Sequence, residues 1–468
     1  MNYKKPADRL MRRYSLLPRL AVFTICIFLI ALSAPSSQFA SNDSFSSSVG
    51  IKTRQLPDGE LCLPALASET LQSKAESAGS TDSPRLAALL QEVKAGNRAA
   101  VQQFWEDSRG KIPLVEAIPG NKQLLRVTFV WRGDDEVCGV KLVGSLPLDV
   151  REKPLNRLAD TDVWFLSSRI PTTARLSYGF VRADETKAVA DPLNPTSSGG
   201  LSLIELPGAF PQPWARVQPS APKGTMKQDR IRSEILKEER TVSIYTPAGY
   251  NQQGRPYGLL IMFDGEAYQS LVPTPTILDN LVAGKKIKPL VAILVHSVSQ
   301  TLRSRDLQCS ALFADFLAKE LVPWARRRYG LSTDPKQTIV GGSSYGGLSA
   351  AYCAFLYPGV FGNVLSQSGS FGYYPGWYGG DRTDTSPYGW LIRQFVRTRK
   401  LPIRFYLEAG LFEAGAPGNI LSENRRMRDV LEAKGYSVVY SEFPGGHEYL
   451  NWRGSLADGL IALDGRER

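Results

Sequence analysis

The chain has 468 residues, 43% of them hydrophobic and 22% charged, with a formal net charge of +11. That length is too great for one ordinary core and points to two or three domains, and the balanced composition excludes collagen-like and wholly disordered classes. A net charge of +5 out of the +11 belongs to the first 34 residues, where Lys4, Lys5, Arg9, Arg12, Arg13 and Arg19 face only Asp8. The modest remainder is spread along the chain without a dense basic run interleaved with aromatics, so no nucleic-acid partner is expected. It suits an anionic small molecule.

The basic N-terminus runs into "LAVFTICIFLIALSA", residues 20–34, and then into Ser-rich sequence. A charged region, an apolar region and a small-residue exit are the layout of a secretory signal. An apolar run of about 15 residues is short for a stable span. Residues 1–40 are read as a signal peptide or membrane anchor, with Ala31-Leu32-Ser33 fitting a cleavage pattern. The protein is then exported, periplasmic or extracellular, and meets a membrane only through residues 20–34 if these are retained. Cys26 lies in the apolar run; Cys62, Cys138, Cys309 and Cys353 remain. With no C-x-x-C and no Cys/His cluster, no metal site is expected. Four cysteines allow two disulfides in three pairings, or buried free thiols.

Residues 41–110 read as a linker and helical segment. Residues 35–56 are Ser-rich, and 84–106 have helical spacing broken at Gly96-Asn97. From 111 to 215 the pattern becomes short, β-branched and alternating, in "LLRVTFVWRG", "VCGVKLVG", "VWFLSSRIP" and "ARLSYGFVR". Several short strands at this spacing suggest a β-sandwich. "ADPLNPTSSGG", residues 190–200, reads as a turn-rich exit, and "PGAFPQPWARVQPSAPKG" as a Pro-rich linker. From 228 to 468 near-continuous apolar strands, among them "GLLIMFDG", "PLVAILVHSV", "QTIVGG" and "IRFYLEAG", alternate with helices. That alternation predicts a mostly parallel sheet covered by helices.

In this last region "IVGGSSYGGLSAAYCAF", residues 339–355, carries G-x-S-x-G as Gly342, Ser344 and Gly346. In that motif a serine sits on a tight strand-to-helix turn with its hydroxyl exposed. A serine alcohol attacks poorly unless a base takes its proton, and histidine titrates nearest neutrality. The chain has two histidines. With the order serine, acid, histidine, His296 comes too early and reads as a packed structural histidine. His447, in the Gly-Gly turn of "FPGGHEYLNW", fits. The acid that orients it should follow the strand "IRFYLEAG": Glu413 is chosen over Glu408, with Asp429 more distant. Donors for a developing oxyanion are the Tyr345 amide and, from the Asp264-Gly265-Glu266 loop, the amide of Gly265 or Glu266. These residues together describe a serine ester hydrolase.

With them in place the chain resembles the enterochelin (enterobactin) esterase family over roughly residues 100–465. The resemblance rests on "IPLVEAI", "RVTFVWRG", "ADPLNP", "LIMFDGEAY", "RSRDLQCSALFADFLAKELVPW", the Ser344 stretch, "LEAGLFE" and "PGGHEYLNWRGSLADGLIAL". It implies a β-sandwich domain followed by an α/β-hydrolase, and catalytic roles for Ser344, His447 and Glu413. It implies hydrolysis of the esters of a catecholate trilactone siderophore, often as the ferric complex, without any cofactor of the enzyme's own. It also implies that Arg303, or secondly Arg305, in "RSRDLQ" faces the anionic substrate through charge-assisted bonds. Where many family members carry tryptophans after "SQSGS", this chain has Phe371, Gly372, Tyr373 and Tyr374. Many also lack an export signal. The rival readings are a feruloyl or acetyl carbohydrate esterase and a non-catalytic scaffold that keeps the fold.

Overall fold

In a computed structural model the described residues are 54–55, 61–62, 81–133, 139–183, 185–254, 256–375, 389–415 and 419–465. The signal or anchor segment, residues 1–40, and Cys138 lie outside them. Among the described residues no helix is long and apolar enough to cross a membrane. Cys62 lies in a two-residue strand paired with Arg54–Gln55, while Cys309 and Cys353 are free thiols. Two compact units meet along the chain at Ala209 and Phe210.

The first unit begins with two helices, α1 (Pro84–Lys94) and α2 (Ala99–Ser108), separated at the Gly96-Asn97 break. Ser83 caps α1 by accepting the Leu86 amide at 3.3 Å, and Pro84 takes the first position, where no donor is needed. The buried faces, Leu86, Leu89, Leu90, Val93, Phe104 and Trp105, pack on Leu114, Val130, Val163 and Phe165. The helical segment therefore belongs to the core of this unit. Two antiparallel sheets follow. One pairs β1 (Leu114–Ile118), β2 (Asn121–Arg132) and β4 (Val163–Pro171); the other pairs β3 (Val140–Gly144), β5 (Arg175–Arg182) and β6 (Leu201–Glu205), with two-residue strands at their edges. Phe129 and Trp131 of the first sheet meet Tyr178 and Phe180 of the second, with centroids 4.9 and 5.1 Å apart. The "ADPLNP" stretch is anchored by the buried Asp191, which accepts the Tyr178 hydroxyl at 2.8 Å and the Leu193 amide at 2.9 Å.

The second unit is built on one eight-stranded sheet: β7 (Thr225–Ser233), β8 (Glu238–Thr246), β9 (Gly258–Met262), β10 (Leu290–Val295), β11 (Thr338–Ser343), β12 (Asn363–Gln367), β13 (Arg404–Gly410) and β14 (Ser437–Phe443). Its spatial order is β7-β8-β10-β9-β11-β12-β13-β14. The six strands from β10 to β14 across this order run parallel, while β7 and β8 are antiparallel additions at one edge. The sheet is thus mixed. The central strands are buried at every position, which is why they read as continuous apolar runs.

Helices cover both faces: α3 (Gly265–Ser270), α4 (Thr274–Ala283), α5 (Gln300–Leu307), α6 (Ala311–Asp315), α7 (Val322–Tyr329), α8 (Tyr345–Leu356), α9 (Trp390–Arg397), α10 (Ile420–Ala433) and α11 (Tyr449–Asp464). Between α6 and α7 the chain widens into a π turn, Phe316–Leu321, just before Pro323, which has no amide to continue the ladder. The Pro-rich stretch expected as a linker is fastened within this unit. Asn280 donates to the carbonyls of Trp214 and Arg216 at 2.7 and 2.8 Å, and Gln212 donates to the Leu450 carbonyl at 3.0 Å.

The turn from β11 into α8 is closely packed. A Cβ on Gly342 would stand 2.9 Å from the Gly346 Cα, and one on Gly347 would stand 2.3 Å from Ser366 Oγ. Gly346 would meet nothing closer than 3.6 Å. Of the motif's two glycines, Gly342 is sterically required, and the second tight position is Gly347, one residue beyond the motif. Alanine at Gly342 or Gly347 is expected to cost about 1–3 kcal/mol through forced backbone shifts, and alanine at Gly346 clearly less. Urea unfolding of the three variants measures this ranking, and equal midpoints would refute it.

Candidate functional site

Loops at the C-terminal ends of the six parallel strands build the site. Strand β11 ends at Ser343, and Ser344 turns the chain with φ 59 and ψ −122. A non-glycine residue at positive φ is uncommon and marks a constrained position. The neighbouring strand end holds it there: the Ser344 amide donates to the Gln367 carbonyl at 2.9 Å, and the Ser370 amide donates to the Ser344 carbonyl at 3.0 Å. The Ser344 hydroxyl lies 3.3 Å from Ser370 Oγ. Tyr345 opens α8, so its amide stands in the first turn, where amides have no helical acceptor.

Strand β9 delivers the second loop. Asp264, at φ 53 and ψ 48, turns directly into α3, and its carbonyl accepts the amides of Ala267 and Tyr268. The Gly265 and Glu266 amides thereby open the first turn of α3. Gly265 is packed so closely that a Cβ would stand 2.8 Å from both the His296 ring and the Leu294 carbonyl.

The Asp264 carboxylate is nearly buried and takes three bonds. Oδ1 accepts Ser297 Oγ at 2.7 Å and Arg303 Nε at 2.6 Å, and Oδ2 accepts Arg303 Nη2 at 2.7 Å. This is the bidentate geometry in which guanidinium and carboxylate match. The Arg303 guanidinium also lies 5.9 Å from the Tyr345 ring centroid. Burial works against its charge, but the hydrogen bonds and charge of Asp264 outweigh that and raise its pKa.

Strands β13 and β14 deliver the acid and the imidazole. Glu413 follows β13, with its side chain 1% exposed. Its Oε2 accepts the Gly410 amide at 2.7 Å, and its Oε1 lies 2.7 Å from His447 Nδ1. His447 follows β14, with its side chain 36% exposed. Its ring meets Trp452 edge to face at 4.8 Å, and Trp452 donates its indole N–H to Ser368 Oγ at 3.0 Å. Ser368 follows β12 directly, two residues before Ser370, so this chain of contacts ties the imidazole to the same end of the sheet as Ser344.

Glu408 has a different environment. It is fully buried within β13 and accepts from Gln367 Nε2 at 3.0 Å, Tyr406 OH at 2.8 Å and Ser455 Oγ at 2.5 Å. Burial pushes its carboxyl up to about 7, and the hydrogen bonds only partly offset that. Asp429 lies on α10, mostly exposed and paired with Arg428. Of the three acids considered, the structure brings Glu413 to His447.

His296 is a packed residue, 2.8 Å from Ser243 Oγ through Nε2 and 3.5 Å from Glu266 Oε1 through Nδ1. The two arginines separate. Arg303 turns toward Asp264 and Tyr345, whereas Arg305 is held by Glu238 and Asp306 at 2.5 and 2.8 Å. Phe371 is fully buried in the core, and Tyr373 stacks edge-on against Tyr345 at 6.3 Å. Sequence reasoning did not single out Asp264, Ser370 or Trp452. Asp264 stood in the quoted Asp-Gly turn and Ser370 in "SQSGS", but their partners are distant in sequence and carry no local signal. Among the described residues no group of three or more His, Cys, Asp or Glu could hold a metal ion.

Comparison with known proteins agrees with this architecture. The Esterase family model matches residues 233–463, and the model "Enterochelin esterase, N-terminal" matches residues 126–215. The iron(III) enterobactin esterase of Dickeya dadantii is 32% identical over 80% of this chain and 94% of its own length. That of Escherichia coli K12 is 30% identical over 77% of this chain and 96% of its own. The crystal structure of the enterobactin esterase from Shigella flexneri in the presence of enterobactin superposes with a TM-score of 0.62 at 28% identity, covering 77% of this chain and 97% of that one. The second unit has an esterase-family fold, preceded by a sheet-rich N-terminal region. The chain belongs to the enterochelin esterase family.

The buried Glu408 has a consequence for stability. Its folded-state pKa lies above the unfolded value, so its contribution is full below about 4.5 and is lost as pH rises through about 7. Glu408→Gln should therefore gain about 2–3 kcal/mol relative to the parent chain between pH 5 and pH 8. Urea unfolding at the two pH values tests this; a pH-independent difference would exclude it.

Proposed function

We propose that the protein is an exported serine esterase that hydrolyses the lactone esters of a catecholate trilactone siderophore of the enterobactin type, releasing its iron. The observation that carries the mechanism is the buried Glu413 bonded to His447 at 2.7 Å, at the same sheet end as the left-handed Ser344. In finer terms the second unit is an α/β-hydrolase, with Ser344 at the nucleophile turn, and the two packed sheets of the first unit form a β-sandwich. The substrate assignment rests on family membership and on the names of the relatives, which are iron(III) enterobactin esterases.

The chemistry follows from the geometry. A carboxylate on Nδ1 fixes that nitrogen as the protonated one and leaves Nε2 as the base. His447 takes the Ser344 proton as the hydroxyl attacks an ester carbonyl. The Tyr345 amide and the Gly265 or Glu266 amide receive the developing oxyanion. His447 then returns the proton to the leaving serine hydroxyl of the lactone. Water, deprotonated by the same imidazole, cleaves the acyl-enzyme and restores Ser344. The Ser344 hydroxyl rests against Ser370 Oγ at 3.3 Å, and in this mechanism it turns to His447 Nε2 when substrate binds. The ferric ion is cargo of the substrate, and no step needs a metal of the protein's own.

Purified protein should open the rings of ferric and iron-free enterobactin. Ser344→Ala should abolish turnover, by about 10⁴-fold or more, and Glu413→Gln should lower kcat by roughly 10³-fold or more through the wrong tautomer. Ser344-dependent cleavage of a simple aryl ester without ring opening would move the substrate to another ester class. Export has its own readout. The mature protein recovered from outside the cytosol should have a mass that corresponds to cleavage near Ser33, and a full-length cytosolic product would reject it.

A further inference from the structure

The residue expected to meet the anionic substrate, Arg303, is already committed. Both its Nε and its Nη2 lie on the Asp264 carboxylate, and the pair is largely shielded, with side chains 17% and 6% exposed. Turning the fork toward a catecholate or carboxylate would strand a buried anion, which is strongly unfavourable. We propose that Arg303 is a positioning residue: by clamping Asp264 it fixes the left-handed turn that presents the Gly265 and Glu266 amides, and it does not bind substrate through its fork. This rests on Ser344 being the nucleophile and these amides receiving the oxyanion.

Three features support the clamp. Asp264 sits at φ 53, a conformation that an L residue keeps only when its surroundings impose it. Ser297 Oγ shares Oδ1 with Arg303, and Glu266 in turn accepts the Ser297 and Val298 amides at 3.2 and 3.4 Å, with Val298 itself at φ 61. The loops after β9 and β10 are thus laced to each other through two carboxylates. The same cation reaches the other donor as well. Arg303 lies against the Tyr345 ring, and Asp264 Oδ2 stands 3.7 Å from where a Gly346 Cβ would be. One guanidinium therefore sets the spacing between the two amides that must meet a single oxygen. Such donors act only within a few tenths of an ångström of their place, and a shift of about 1 Å costs on the order of 100-fold in rate.

The test measures kcat and KM of the full-length chain and its Arg303→Gln, Arg303→Ala and Ser297→Ala variants on two esters, neutral p-nitrophenyl acetate and anionic iron-free enterobactin. Thermal unfolding is recorded for each. Arg303→Gln should lower kcat by about 30- to 300-fold on both esters with KM changed by less than about threefold. Ser297→Ala, which removes one bond to the same carboxylate, should lower kcat by roughly 3- to 10-fold in the same pattern. Added guanidinium at a non-denaturing concentration should restore part of the kcat of Arg303→Ala, a rescue that a general loss of stability would not give. A rise of KM confined to enterobactin, with the aryl ester turned over normally, would overturn the proposal and return Arg303 to substrate binding. Unchanged kinetics on both esters would also overturn it. If Arg303→Gln does not fold, Ser297→Ala decides. If the parent chain cleaves the aryl ester but not enterobactin, the siderophore reading fails and the aryl ester alone decides the role of Arg303. A folded parent chain inactive on both overturns both readings.

Discussion

The second unit depends on one backbone constraint: where a parallel strand passes into its covering helix at once, after β11 and after β9, the step is made by a residue at positive φ. Ser344 takes that step after β11, with Gly342 and Gly346 in van der Waals contact across it. The pattern repeats along the edge. Asp264 after β9, Val298 after β10 and Ser368 after β12 also have positive φ. Such steps cost roughly 1–2 kcal/mol per residue for L side chains. They persist because a sheet buried on both faces fixes the strand ends, and because each loop is bonded to its neighbour rather than to itself. Rigid strands thus hold strained loops, and the strained loops carry the polar groups.

Electrostatics divides the labour within β13 and its exit. Glu408 and Glu413 are five residues apart, both buried, and bonded to different kinds of partner. Glu413 faces an imidazole and a backbone amide, whereas Glu408 faces only neutral donors. Burial pushes the Glu408 carboxyl toward its uncharged form and its neutral donors only partly offset that, while Glu413 has beside it a ring whose cation it can stabilise. Environment, rather than residue type, separates the structural acid from the one proposed for catalysis.

The sequence was legible where burial is periodic and opaque where contacts are distant. The helices α1 and α2 showed themselves because their apolar residues recur at the helical period, and the strands from β9 to β13 because they are short, continuous apolar runs. Strand β7, "TMKQDRIRS", was missed because it is an edge strand exposed at most positions and held mainly by its ladder to β8. β6, "LSLIE", is a short stretch between the turn-rich exit at 190–200 and the Pro-rich linker, and it was not singled out as a strand. The π turn before Pro323 left the helical spacing intact, so α6 and α7 read as one helix. At the site, Ser344, His447 and Glu413 could be placed by order along the chain. The partner of Arg303 could not, because Asp264 lies 39 residues away and nothing local in "RSRDLQ" distinguishes one arginine from the other. Their helical positions point them to different neighbours, and that is visible only in three dimensions.

The same close packing protects the chain's sulfur chemistry. Cys353 lies inside α8, the helix that Ser344 launches, and burial pushes its thiol up to about 12; burial likewise raises Cys309 well above the ordinary range. Disulfide exchange proceeds through the thiolate, and these two groups hold almost none near neutral pH. The second unit therefore keeps Cys309 and Cys353 unreactive by packing alone, with no disulfide between them.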